Sequence, residues 1–176
     1  MTNGVFLNRP RAYWVKLIFA MIVTVSLSLG FGSWFERHYR LAIDVQKVPC
    51  MDARVLLIDI NDTTPEVGAL MAFRAGVATE PLVKRGTLMA KRIVAAPWDT
   101  VRITRKEIIF VNGKMVSVGL PHLKGLEWEK QAQFLGSTTL KDNQWWVLGE
   151  HPKSFDSRYW GSIGREQMVG RAYVLF

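Results

Sequence analysis

Ile108-Ile109-Phe110-Val111-Asn112-Gly113-Lys114-Met115-Val116-Ser117-Val118 decides the fold class of this chain. Two runs rich in β-branched and apolar residues flank Asn-Gly, a pair that takes positive φ at both positions at little cost. The segment therefore reads as a β-hairpin with a type I′ turn. Similar short runs lie on either side of it. Val55–Ile60, Gly68–Phe73 (after a turn at Thr64-Pro65), Thr87–Val94 and Val101–Thr104 precede it, and Trp145–Leu148 and Gly170–Phe176 follow. Many short strands separated by turn signals predict a mainly β chain, folded as an antiparallel β domain. Residues 119–143 lose the pattern and read as a short helix or a cap over the hairpin.

Ahead of the strands, Leu17 to Phe35 carries no charge. At about 1.5 Å per residue it spans roughly 28 Å, close to the apolar thickness of a bilayer. Tyr13, Trp14, Trp34 and Phe35 sit at its ends, as interfacial aromatic residues do. A cleaved signal peptide is the alternative. The run is long for one, and Ser26, Gly30 and Ser33 form only a loose cleavage pattern, so an uncleaved anchor is expected. The expected organisation is a terminus and transmembrane anchor over 1–36 and an exported domain over 37–176, with 119–143 as a cap or insertion.

The net charge is +8, with 49% apolar residues, enough for a core. Arg9, Arg11, Lys16, Arg37 and Arg40 stand against Glu36 in the first 40 residues, so half the excess lies beside the apolar segment, where lipid phosphates attract it. The remainder forms no basic run interleaved with aromatic residues, and no nucleic-acid partner is expected. A single cysteine excludes an internal disulfide. His38, His122 and His151 show no ligand spacing with Cys50, so no metal and no cofactor are expected.

Three segments carry candidate chemistry. Cys50, in Val48-Pro49-Cys50-Met51, reads either as a small buried hydrophobe or as a nucleophile. Lys91 would share a strand face with Met89 and Ile93, while Arg92 points the other way. Desolvation between two large apolar side chains disfavours an ammonium and suits a lysine to general-base work. Taken alone, Lys91 reads as a strand lysine with its head in water. Ser154, Asp156 and Arg158 offer a hydroxyl and an ion pair. Taken alone, they read as a surface salt bridge in a polar loop.

Order and spacing add a resemblance. Lys91-Arg92-Ile93-Val94-Ala95-Ala96-Pro97-Trp98-Asp99 resembles the Lys-Arg-Val/Ile-x-Gly-x-Pro-Gly-Asp box of type I signal peptidases. Gly149-Glu150-His151…Ser154-Phe155-Asp156-Ser157-Arg158…Gly161 resembles their Gly-Asp-Asn…Ser-x-Asp-Ser-Arg…Gly box. Gly68-Ala69 resembles their Gly-Asp, and Cys50-Met51 stands where they carry Ser-Met. The short chain and degenerate first box look most like the TraF-type peptidases of conjugative plasmids, which mature pilin precursors and in some cases join the pilin's ends.

The resemblance implies a signal-peptidase-like β domain behind one transmembrane helix, in a bacterial inner membrane, with a cytoplasmic N-terminus and a periplasmic domain. It implies an endopeptidase with Cys50 as nucleophile and Lys91 as proton carrier. Ser154 would orient Lys91, Asp156 and Arg158 would brace the site, and Met51, Met89 and Ile93 would line a substrate groove. The expected partners are a precursor protein, in particular a pilin, and membrane lipid. Some family members complete the oxyanion hole with a hydroxyl two residues before the nucleophile; Val48 cannot donate one. The second expectation, of another class, is a catalytically inactive relative serving as a membrane-tethered assembly or binding factor.

Overall fold

The computed structural model describes residues 10–44, 54–80, 82–124 and 128–176. The chain divides into two compact units, Met1–His38 and Tyr39–Phe176. The first contains α1 (Arg11–His38), 28 residues with no buried side chain. Its mean hydropathy reaches 2.0 over the best window, so it is long and apolar enough to cross a membrane. Arg37 and His38 stand in the last turn, where cations complement the helix dipole.

The second unit is antiparallel β throughout. In chain order its strands are β1 (Tyr39–Ile43), β2 (Val55–Asp59), β3 (Leu70–Arg74), β4 (Leu88–Ala95), β5 (Thr100–Ile103), β6 (Ile108–Val111), β7 (Lys114–Val118), β8 (Gly136–Thr139), β9 (Gln144–Leu148), β10 (Ile163–Gly164) and β11 (Met168–Val174). Two short helices, α2 (Trp128–Ala132) and α3 (Ser157–Trp160), interrupt them. Among the described residues these strands form a larger sheet, β1-β2-β11-β3-β4-β9-β10, and a smaller one, β7-β6-β5-β8.

The expected hairpin is β6–β7. Asn112 and Gly113 take φ of 48° and 81°, both positive as a type I′ turn requires. A bulge between Ile109 and Phe110 shifts its register. Strand burial follows the alternation of the sequence: Leu56 and Ile58 of β2, Val101 and Ile103 of β5, and Ile109 and Val111 of β6 all point inward. The strand β8 was not legible, because Gly136-Ser137-Thr138-Thr139 is exposed along its whole length and has no apolar alternation. Pairing with β5 makes it a strand.

The C-terminal strand β11 inserts between β2 and β3 rather than adding at an edge. Its register slips between Met168 and Gly170, and at Gly170 a Cβ would stand 2.1 Å from the Asp59 carbonyl oxygen, so only glycine fits. The long strand β4 lies between β3 and β9 and feeds two cores. Ile93 packs with Met71, Phe73, Val147 and Trp160. Ala95 packs with Val101, Ile109, Leu120 and Trp146.

Candidate active site

Lys91 lies midway along β4, directly across from Met71 of β3. It is 1% exposed, and Met71 and Ile93 are fully buried. The lysine therefore does not keep its head in water as a lone strand lysine would. Met89 is half-buried on the same face. Ile93 belongs to the core beneath. Arg92 points to the other face, as alternation requires. Its Nη1 donates to the Gly68 carbonyl at 2.8 Å, and its guanidinium pairs with Glu150. The Gly68-Ala69 segment is also tied to β4 by its backbone: Gly68 N donates to Ile93 O, and Ile93 N donates to Ala69 O.

On the other side of β4, Arg92 pairs with Leu148, the last residue of β9. The chain then enters the loop that carries Ser154, Asp156 and Arg158. Asp156, in an extended conformation, caps α3 by accepting from Arg158 N. Its Oδ2 also accepts from Gly149 N at 3.0 Å, which closes the loop onto the end of β9. Arg158 grips the same carboxylate as a fork, Nε to Oδ1 at 2.8 Å and Nη2 to Oδ2 at 2.9 Å. The side chains are 1% and 0% exposed, so this is a buried pair and not a surface one. Spare donors of Arg158 reach the carbonyls of Ser154 and Gly119, each at 3.0 Å. Burial alone would lower the Arg158 pKa, but the hydrogen bond and charge of Asp156 outweigh it and hold the group above its ordinary value.

Ser154 is 1% exposed. Its backbone N–H donates to His151 O at 2.9 Å, while its Oγ has no hydrogen-bond partner among the described residues. A buried hydroxyl without a partner is costly, and among the described residues Ser154 shares that condition with the indole N–H groups of Trp146 and Trp160. Ser157 has a different task, its Oγ accepting from Val147 N at 3.0 Å and so joining α3 to β9.

Two contacts were invisible in the sequence. His122 and Tyr159 meet edge to face at 4.9 Å, and Tyr159 stacks on Phe155 at 5.6 Å. Burial pushes the Tyr159 hydroxyl up; the hydrogen bond it accepts from His122 N works against that shift without cancelling it. No motif and no spacing signalled His122, since its neighbours come from a loop some thirty residues away. Cys50 and Met51, with Val48 and Pro49, lie outside the described residues. Among the described residues, no three of His, Cys, Asp and Glu come together so as to hold a metal ion.

The family model "Signal peptidase, peptidase S26" matches residues 11–176. A probable signal peptidase I-2 from Synechocystis is 28% identical, covering 95% of this chain and 75% of that protein. A signal peptidase I from Pseudomonas aeruginosa is 30% identical, covering 74% of this chain and 54% of that protein. This chain thus spans about three quarters of one relative and about half of the other. The crystal structure of a signal peptidase I from Enterococcus faecalis aligns over 64% of this chain and 97% of its own, with 23% identity and a TM-score of 0.38.

Proposed function

The chain belongs to the signal peptidase family, a family of proteases acting on precursor proteins, and on that premise we propose that it is a membrane-anchored endopeptidase working through a Cys50/Lys91 dyad. The observation that carries this reading is the burial of Lys91 on β4, whose neighbour β9 leads into a loop that buries the Asp156–Arg158 pair and a Ser154 hydroxyl with no partner among the described residues. A thiol is the natural donor of the proton that such an amine takes. An unperturbed thiol ionises near pH ~8.5 and an unperturbed ammonium near ~10.4, so transfer from sulfur to nitrogen is downhill.

In the acylation step the Cys50 thiolate attacks the scissile carbonyl carbon and a C–S bond forms. The tetrahedral intermediate collapses with loss of the C–N bond, and the Lys91 ammonium protonates the departing amine. The thioester remains, with Lys91 neutral. An incoming water or amine then gives its proton to Lys91 as it attacks, the C–S bond breaks, and the thiolate returns. Ser154, whose Oγ makes no hydrogen bond to Lys91 or to any other described residue here, is proposed to turn toward the Lys91 amine when substrate binds, and Asp156 with Arg158 holds the loop that carries Ser154. Met51 and Met89 line the groove for the residues before the scissile bond, with Ile93 beneath them. With Val48 unable to donate, the oxyanion rests on backbone N–H of Cys50.

In this reading α1 is the membrane anchor and the domain works on the periplasmic side of a bacterial inner membrane, where precursors emerge from their own apolar segments. A pilin precursor is the proposed substrate. Thioesters favour amines over water more than oxygen esters do, so ring closure by the pilin's own N-terminus is part of the proposal.

Cys50→Ala tests the assignment. The variant is expected to fold, fractionate with membranes and leave the precursor uncleaved on a gel. Undiminished cleavage would move the nucleophile elsewhere. If the wild-type chain also left every precursor uncleaved, the tethered-factor reading would stand instead.

A further inference from the structure

We infer that the smaller sheet carries a binding site for the phosphate of an anionic phospholipid, in the cleft between Arg102, Arg105 and Ser137. The site requires α1 to sit in a membrane, as proposed above, and is independent of the Cys50/Lys91 chemistry.

Two closed turns build the cleft. After β5, the Thr104 hydroxyl accepts from Ile108 N at 3.1 Å and Glu107 N donates to Thr104 O at 2.8 Å, so Arg105 is carried on a fixed turn. Before β8, Leu135 N donates to Ala132 O at 3.1 Å. Between these turns β5 and β8 pair directly, Arg102 opposite Ser137 and Ile103 opposite Gly136. The result is an open cleft of about 540 Å³, lined by Arg102, Arg105, Thr104 and Ser137 and by the apolar Ala132 and Leu135. At Gly136 a Cβ would meet nothing within 4 Å, so the chain leaves space there.

The charge of the cleft is one-sided. No carboxylate lines it, and among the described residues neither guanidinium has an acidic partner, whereas Arg92, Arg158 and Arg171 are each paired with Asp or Glu. Glu107, two residues from Arg105, is engaged by Leu120 N at 2.9 Å. The Arg102 guanidinium lies over the Phe110 ring, 5.1 Å from its centroid, and a cation held on a ring face keeps its N–H donors for a second partner. Two guanidinium groups and a hydroxyl match the several oxygens of a phosphate. Exposed Lys106 and Lys114, at the two ends of β6, add positive charge. The face beside the cleft is apolar: Phe110 pairs with Arg102 on one side and with exposed Met115 on the other, and exposed Val118 stands opposite Ile108. An anion site bordered by exposed apolar side chains suits an amphiphile. Phospholipid is the phosphate nearest to hand for a domain that follows directly on a helix apolar enough to cross a membrane.

The test uses the full-length chain in maltoside micelles, which carry no phosphate. Its amide NMR spectrum is followed as phosphatidylglycerol is added to the micelles. The amides of Ile103, Gly136 and Ser137 are expected to shift saturably. Phosphatidylcholine, whose own cation opposes the arginines, should bind at least about fivefold more weakly. Arg102→Ala/Arg105→Ala is expected to weaken the phosphatidylglycerol response about tenfold or more. Ser137→Glu, which sets a carboxylate opposite Arg102 in the cleft, should weaken it by a second route. Lys84→Ala/Lys141→Ala removes the same charge from other exposed positions and should leave the response within about twofold of wild type. The rest of the spectrum reports that each variant is folded.

No saturable shift at these amides overturns the site. Equal weakening by the lysine pair also overturns it, because binding would then be diffuse attraction to a basic domain. Inorganic phosphate giving the same shifts at the same concentration would make the occupant a free anion, and an acidic peptide doing so would make it a protein; either result overturns the lipid assignment. The titration reads no cleavage, so a failed Cys50→Ala experiment would leave its outcome untouched.

Discussion

At the scale of single residues, Lys91 and Trp98 depart most from ordinary surface chemistry. A lysine at 1% exposure among Met71, Met89 and Ile93 has lost its hydration, and an ammonium there is stabilised only by what sits next to it. Lys91→Met keeps the volume and removes that cost, so the variant should be as stable as wild type or more so in urea, with precursor cleavage lost. Lys91→Arg should also be inactive, because a guanidinium stays protonated. Cleavage by the arginine variant would show that a neutral amine is not required. Trp98 takes φ of 73° and is 71% exposed, at the position where the resembled box carries glycine. A left-handed conformation costs a residue with a Cβ about 1–2 kcal/mol, and glycine gives back about 0.5–1 kcal/mol through its freer unfolded chain. Trp98→Gly is therefore expected to stabilise by about 0.5 kcal/mol, seen as a small rise in Tm. A fall in Tm would mean that the indole makes contacts that outweigh the backbone strain.

At the scale of elements, the loop between β9 and α3 is organised by one buried ion pair. Asp156 holds Gly149, caps α3 and receives both arms of Arg158, while Arg158 reaches Ser154 and Gly119. Such a pair brings little net stability relative to an apolar replacement, yet breaking it strands a charge. Asp156→Ala is expected to cost about 3–5 kcal/mol in denaturant unfolding, a large part of the ~5–15 kcal/mol of a typical domain. The double variant Asp156→Ala/Arg158→Met should recover much of that stability without recovering cleavage. A double variant as unstable as the single one would show that the capping and Gly149 contacts, rather than the stranded charge, carry the cost.

At the scale of the whole molecule, α1 would run about 42 Å at the helical rise, longer than a ~30 Å apolar core, so the span fits a single crossing with its ends in the interfaces. Under the proposed function, the enzyme meets substrates that are themselves membrane-inserted, and the proposed acyl-enzyme is resolved by a nearby amine of a pilin before bulk water. Intact mass of mature pilin from cells carrying the active chain should then be one water below the linear product, with N-terminal sequencing blocked. A mass equal to the linear product would leave a hydrolase.

The sequence by itself determined the strand class, the hairpin turn at Asn112-Gly113 and the apolar segment of α1, because each depends on local chemistry: alternation, the φ tolerance of Asn and Gly, and an uncharged run. It also placed Lys91 and Ile93 on one face of β4, since a strand alternates whatever surrounds it. Only the tertiary structure decided that Lys91 is buried rather than snorkelling, and that Asp156–Arg158 lies in the interior rather than on a loop surface. It also decided that Gly136–Thr139 is a strand and that His122 meets Lys153. Those outcomes depend on partners distant in sequence: Met71 across the sheet from Lys91, Gly119 just after β7, β5 beside β8, and a loop beyond β9. Burial and hydrogen bonding belong to the assembled neighbourhood, and no local pattern encodes which distant segment will supply it.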